Sequence, residues 1–158
     1  MPKTTTCLWF DTQGEEAAQL YTSIFPNSSI TDTMRYGPNQ PGEEGKVMTV
    51  AFDIDGRSFV ALNGGPQFTF NEAISIQVDC EDQSEVDDYW SKLTADGGEE
   101  GPCGWLKDKF GLSWQIVPKA LNELLSDPNP ARAQAAMQAM LQMTKMDVAQ
   151  LHAAADSA

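Results

Sequence analysis

Trp105-Leu-Lys-Asp-Lys-Phe-Gly-Leu-Ser-Trp-Gln-Ile-Val-Pro118 is the stretch whose reading decides the fold. It divides into two short apolar strands around a tight turn, Asp108-Lys109-Phe110-Gly111, and Pro118 closes it. One neutral amide, Gln115, stands among apolar neighbours. A polar residue in a buried strand either finds a hydrogen-bond partner or faces a cavity. A carboxylate at that place would suit a metal; an amide is a much poorer ligand.

Upstream of this hairpin, Ala73–Cys80 alternates as a strand, with Ile74, Ile76 and Val78 on one face and Ala73, Ser75 and Gln77 on the other. Asp82–Ala95 follows as a helix with Val86, Tyr89, Trp90 and Leu93 on one side, and Asp96-Gly97-Gly98 ends it. A weak strand is expected near Glu100–Cys103, ahead of Trp105–Lys107 and Ser113–Val117. The same order occurs earlier in the chain. Thr4–Phe10 reads as a strand, and Thr12 with Glu15 matches a capping box. The helix it opens carries Ala17, Leu20, Tyr21 and Ile24 and stops before Pro26. Strands at Ser29–Tyr36, Val47–Ile54 and Ser58–Leu62 follow, the last two joined by an Asp55-Gly56 hairpin turn.

Strand, helix and three strands therefore occur twice, offset by about 69 residues. The expected fold class is α+β: two tandem βαβββ modules, about 4–63 and 73–118, forming a curved eight-stranded cleft within a single domain, 1–158. Helices over about 120–155 extend it. Leu121–Leu125 gives one turn or two, broken by Asp127-Pro128-Asn129-Pro130. Ala131–Ala155 reads as one long Ala/Met-rich helix, with Met137, Met140, Leu141, Thr144, Val148 and Leu151 near one stripe. That stripe suits packing against its own domain or against a partner.

Composition narrows the function classes. With 10 basic against 23 acidic residues, a net charge of −13 argues against a nucleic-acid partner, whose phosphates need Lys and Arg. No apolar run approaches the roughly 18 residues of a membrane span. MPKTTTCLWFD has no extended apolar core, so no signal peptide is read there, and a cytoplasmic protein without a membrane partner is expected. Cys7, Cys80 and Cys103 are too widely spaced for a zinc motif and too few for a disulfide framework.

Leu8–Ser28 (LWFDTQGEEAAQLYTSIFPNS), Phe59–Pro66 (FVALNGGP), Ile74–Leu93 (ISIQVDCEDQSEVDDYWSKL), Cys103–Pro118 (CGWLKDKFGLSWQIVP) and the Met-rich tail carry a resemblance across nearly the whole chain. It is to the PhnB-like group, often labelled demethylubiquinone methyltransferase-like, of the vicinal oxygen chelate (glyoxalase/bleomycin-resistance) superfamily. The resemblance implies two modules curved around a cleft, and commonly a homodimer. Metal-dependent members place His or Glu on the first and last strand of each module. Here Ala73 and Gln115 fall at those positions in the second module, with Thr5 or Thr6 and Val60 or Ala61 in the first. None is a strong ligand, and the single histidine, His152, lies in the tail. No metal and no cofactor is therefore expected. The methyltransferase label finds no support in Gly97–Gly104, which follows a helix and precedes strands, the reverse of the usual nucleoside-binding turn.

If the modules curl as the resemblance implies, Ser75, Gln77 and Gln115 face the cleft, Cys7 and Trp9 join them, and Asn63 lies at its rim. Such a lining suits a small organic ligand, with Trp9, Asn63, Ser75, Gln77 and Gln115 as its binding residues. The alternatives are a Gln77–Gln115 hydrogen bond in a closed core, and Trp9 as ordinary core. The expected function is small-molecule binding without the usual divalent metal. The alternative is an enzyme of lyase, isomerase or dioxygenase type in the same cleft. Cys103 lacks a nearby histidine to activate it. Asp108 is explained by turn chemistry, and Gly37–Gly45 reads as a hairpin loop or a lid.

Overall fold

The computed structural model describes residues 3–158. They fall into two compact units, 3–70 and 71–158. The first contains β1 (Thr6–Phe10), α1 (Gly14–Ile24), β2 (Ser29–Arg35), β3 (Val47–Ile54) and β4 (Arg57–Asn63). The second contains β5 (Ser75–Cys80), α2 (Gln83–Thr94), β6 (Glu99–Glu100), β7 (Trp105–Lys107) and β8 (Ser113–Pro118), then α3 (Lys119–Leu125), α4 (Pro130–Leu141) and α5 (Val148–Asp156). The eight expected strands form two four-stranded sheets of one topology, β1-β4-β3-β2 and β5-β8-β7-β6. In each, the first strand runs parallel to the last, which the intervening helix makes possible, and the remaining pairs are antiparallel.

The first sheet buries Leu8, Phe10, Val50, Phe52, Phe59 and Ala61 against Ala17, Ala18, Tyr21 and Ile24 of α1. Asp55 and Gly56 both take positive φ, +48° and +79°, as the two-residue turn between β3 and β4 requires. The expected Thr12–Glu15 capping box does not form. Gln13 is the N-cap and contributes no side-chain hydrogen bond. Instead the Gly14 N–H is received by Asn63 Oδ1 at 2.7 Å, from the end of β4. A Cβ on Gly14 would lie 2.8 Å from that oxygen, so glycine permits the approach.

The second sheet buries Trp114, Ile116 and Leu106 against Val86, Trp90 and Leu93 of α2. Here Asp82 does cap its helix, accepting from Glu85 N at 3.0 Å. The strand begins later than the alternation suggests. Ala73 lies in a turn, its N–H donating to Asn71 Oδ1 at 2.9 Å, and Ile74 is 72% exposed rather than on the core face.

The tail is not one helix. It breaks over residues 142–147, because backbone groups there bond elsewhere. Met143 and Thr144 carbonyls accept the N–H groups of Cys103 and Gly104, each at 2.8 Å. Those two residues have positive φ, +58° and +83°, just ahead of β7. Gln83 adds a two-point tie, Nε2 to the Met146 carbonyl at 2.9 Å and Oε1 from the Val148 N–H at 2.7 Å. Met143 and Met146 are consequently buried along with Ala136, Leu151 and Ala155, while Met137 and Leu141 of the expected stripe stay exposed. Among the described residues no helix is long and apolar enough to cross a membrane.

Candidate functional site

On the second sheet, side chains that alternate away from α2 share one open face. Register places Lys107, Ser113 and Ser75 in one row across β7, β8 and β5, and Trp105, Gln115 and Gln77 in the next. Gln115 Nε2 donates to Ser75 Oγ at 2.9 Å, so Ser75, having accepted, can turn its own proton outward. The Gln77–Gln115 bond, weighed as an alternative, is absent. Gln77 Nε2 goes to Asp79 Oδ1 at 3.0 Å along its own strand.

Ser113 lies beside this pair and is 1% exposed. Its hydroxyl has no hydrogen-bond partner. It lines a cavity of about 150 Å³ together with Trp105, Lys107, Glu72 and Glu99. Lys107 ion-pairs with Glu72. That hydrogen bond, with the Glu72 backbone and the lysine charge behind it, holds the carboxyl below the usual carboxylate range; Glu72 in turn raises the ammonium. Sequence reasoning missed Trp105, Lys107 and Ser113 as members of this face. The signal was present: the turn over Asp108–Gly111 sets the hairpin register, which pairs Trp105 with Gln115.

Asp108 organises that turn. Its Oδ1 accepts from Phe110 N and Leu112 N, at 2.9 and 3.1 Å, and its Oδ2 accepts from Trp114 Nε1 at 2.9 Å. It is a buried structural carboxylate, as turn chemistry anticipated.

In the first unit Trp9 and Cys7 lie on the sheet face opposite Leu8 and Phe10. Trp9 is half-buried; its Nε1 donates to the Gly65 carbonyl at 2.9 Å, and its ring meets Phe68 edge-on at 5.0 Å. Asn63 belongs to the α1 side. Besides receiving Gly14, it donates Nδ2 to the Val47 carbonyl at 3.1 Å, and its own carbonyl accepts the Tyr36 hydroxyl at 2.8 Å. A cavity of about 590 Å³ opens next to it, lined by Asp11, Glu15, Arg35, Tyr36 and Lys46. The loop after Tyr36 forms part of its wall and is tied as a hairpin, Gly45 N to Tyr36 O at 2.8 Å and Gly37 N to Gln40 Oε1 at 2.6 Å.

The residues at the superfamily's metal positions do not fit a divalent cation. Ala73, Val60 and Ala61 carry no side-chain ligand atom, Thr5 and Thr6 are exposed neutral hydroxyls, and Gln115 offers a single neutral amide oxygen. His152 is exposed on α5. Among the described residues no three His, Cys, Asp or Glu side chains group as a metal site. Nor are the thiols of the two sheets poised as nucleophiles. Burial, then the Glu85, Asp79 and Asp82 charges, push Cys80 up to about 12, and burial raises Cys7.

Residues 2–117 match the family model described as 3-demethylubiquinone-9 3-methyltransferase. A PhnB protein from Bacillus cereus is 36% identical over 74% of this chain and 99% of its own, with a TM-score of 0.66. The chain belongs to the PhnB-like family. Two more distant structures share the fold with this PhnB-like chain: protein PA1353 from Pseudomonas aeruginosa, and the fosfomycin resistance protein FosX from Listeria monocytogenes. PA1353 is 17% identical, over 75% of this chain and 98% of its own, with a TM-score of 0.62. FosX is 18% identical, over 78% and 97%, with a TM-score of 0.53. The fold, two tandem βαβββ modules, is glyoxalase-like. No match was found among curated proteins. In this PhnB-like chain α3, α4 and α5 lie beyond the residues that the family model matches.

Proposed function

We propose that the protein binds a small, polar, uncharged organic molecule on the open face of its second sheet. Ser75, Gln77 and Gln115 supply hydrogen bonds and Trp105 supplies a ring surface. The observation that carries this reading is Ser113. A buried hydroxyl without a partner costs about 1–3 kcal/mol, and this one borders a cavity beside Lys107 and Trp105. A ligand carbonyl or hydroxyl satisfies it there. The Gln115 amide oxygen, with no donor to it among the described residues, is a second acceptor on the same face. In the first unit Trp9 offers an aromatic surface on its own open sheet face, while Asn63 holds surrounding backbone in place. Homodimer formation is part of this reading; exposed Ile30 and Met34 on β2, an edge strand, provide an apolar edge for it.

A thermal-shift screen of neutral amides, alcohols and ketones tests the site, because a ligand of the native state must raise its melting temperature. Ser113→Ala removes the orphan hydroxyl, so it should raise the melting temperature of the free protein and reduce the shift caused by each binder. Gln115→Leu should abolish that shift. Binders whose shifts persist unchanged in both variants, or a library without binders, would sink the proposal.

A further inference from the structure

We infer that the cavity of about 590 Å³ in the first unit binds a small, elongated zwitterion, with its anionic group at Arg35 and Lys46 and its cationic group at Asp11 and Glu15. This site is separate from the second unit's sheet face and does not rest on the reading given to that face.

Charge placement carries the argument. The chain has only ten basic residues, and Lys92, Lys107, Lys119, Arg132 and Lys145 are held in ion pairs. Among the described residues Arg35 and Lys46 find no ion-pair partner, although carboxylates outnumber them in the same cavity. Among the described residues the Arg35 guanidinium makes one hydrogen bond, Nη1 to the Gly45 carbonyl at 3.0 Å, leaving most of its donors open. Asp11 and Glu15 likewise form no ion pair among the described residues.

The sheet explains why these charges do not neutralise one another. Asp11 and Glu15 follow β1, whereas Arg35 ends β2 and Lys46 precedes β3; the strand order is β1-β4-β3-β2. At about 4.8 Å per strand, their backbones are roughly 10–14 Å apart. Between them lies the end of β4, where Gly64 and Gly65 put no side chain into the gap. A ligand carrying both charges, separated by several bonds, spans that gap and pairs each end. Glu43 also lines the cavity, from the loop close to Lys46, and competes there with the ligand's anionic group.

The walls are fixed in advance. Asn63 alone joins the start of α1, the start of β3 and Tyr36 through three hydrogen bonds. The Tyr36 ring is packed where any side chain at residue 42 would have to sit, so Gly42 lets the loop close on it. A site whose parts do not reorganise loses less on binding.

Amide-resolved NMR titration of the full chain with 6-aminohexanoate provides the test, with hexanoate and hexylammonium as single-charge controls. The expected result is saturable shifts at the amides of Asp11, Glu15, Arg35, Lys46 and Gly64, with both controls weaker by about tenfold or more, the size of one charge-assisted contact. Lys46→Met and Asp11→Asn, both exposed positions, should each weaken the zwitterion by about tenfold and leave the rest of the spectrum unchanged. Equal binding of either control, shifts confined to other residues, or no saturable shift would overturn the inference.

Discussion

The indole N–H of Trp114 donates to Oδ2 of Asp108 at 2.9 Å, and both side chains are buried. Through Oδ1 the same carboxylate holds the N–H groups of Phe110 and Leu112. One acidic residue thus closes the hairpin, fixes its register and orients Trp114, a fully buried core side chain of the second unit. Replacing Asp108 by Ala leaves three donors without their acceptor, two of these hydrogen bonds being buried and the third part-buried. The expected loss is about 3 kcal/mol or more at 1–3 kcal/mol per stranded group. Asp108→Asn keeps one oxygen but can turn an amide N–H toward the indole N–H, so it recovers only part. Urea denaturation followed by tryptophan fluorescence measures both.

Asn63 and Gly14 form the cap that α1 lacks in its own sequence. Asn63→Ala should cost about 1–2 kcal/mol, the range for losing a helix cap. Gly14→Ala should destabilise as well, since its methyl meets Oδ1 at 2.8 Å. The two act through one contact, so the double variant should lose clearly less than the sum. Additive losses in chemical denaturation would count against a shared cap.

Docking of the tail is expected to weaken in acid. Hydrogen bonds from Lys145, then from Gln83, hold the Asp87 carboxyl below the usual carboxylate range; the Asn129 backbone and Arg132 do the same for Asp127. A lowered folded-state value means the contribution is present above the ordinary carboxylate range and is lost as pH falls through the lowered one. Amide exchange in α4 and α5 should therefore accelerate at acid pH before that of β8. Asp87→Asn should remove part of this pH dependence. Uniform exchange of tail and sheet across the titration would contradict it.

Cys80 gives an alkaline counterpart. Its thiol rises from 9.0 to about 12 in the folded chain, chiefly through burial. The raised value means that its contribution is complete below 9.0 and is lost as pH climbs toward about 12, because the unfolded chain ionises first. Under native conditions Cys80 should resist iodoacetamide and become labelled only on unfolding. Mass spectrometry of the labelled peptides reads this directly, and native labelling of Cys80 at neutral pH would refute it.

Much of the architecture was legible because strand and helix periods, and turn residues such as Asp55-Gly56, are local properties. Both βαβββ modules emerged from them, and Val47–Ile54 and Trp105–Lys107 matched to the residue. The misreadings arose where a distant group intervened. The capping box at Thr12–Glu15 gave way to Asn63, 49 residues from Gly14. The long tail helix broke because Cys103 and Gly104 captured the carbonyls of Met143 and Thr144. Of the candidate site residues, Ser75 and Gln115 are brought into hydrogen-bond contact, whereas Gln77 turns to Asp79, and Trp9 and Asn63 spend indole and amide groups on backbone of their own unit.

The chain by itself determined the family, the twofold βαβββ plan, the alternation that turns Gln77 and Gln115 away from α2, and the excess of acidic charge. Each follows from residue type and spacing along the backbone. Tertiary structure alone decided which polar groups are spent and which remain open. It stranded the Ser113 hydroxyl beside a cavity, paired Lys107 with Glu72, and kept Arg35 and Lys46 apart from Asp11 and Glu15. A hydrogen bond or ion pair forms only within a few ångströms, and sheet order, not distance along the chain, sets which side chains come that close.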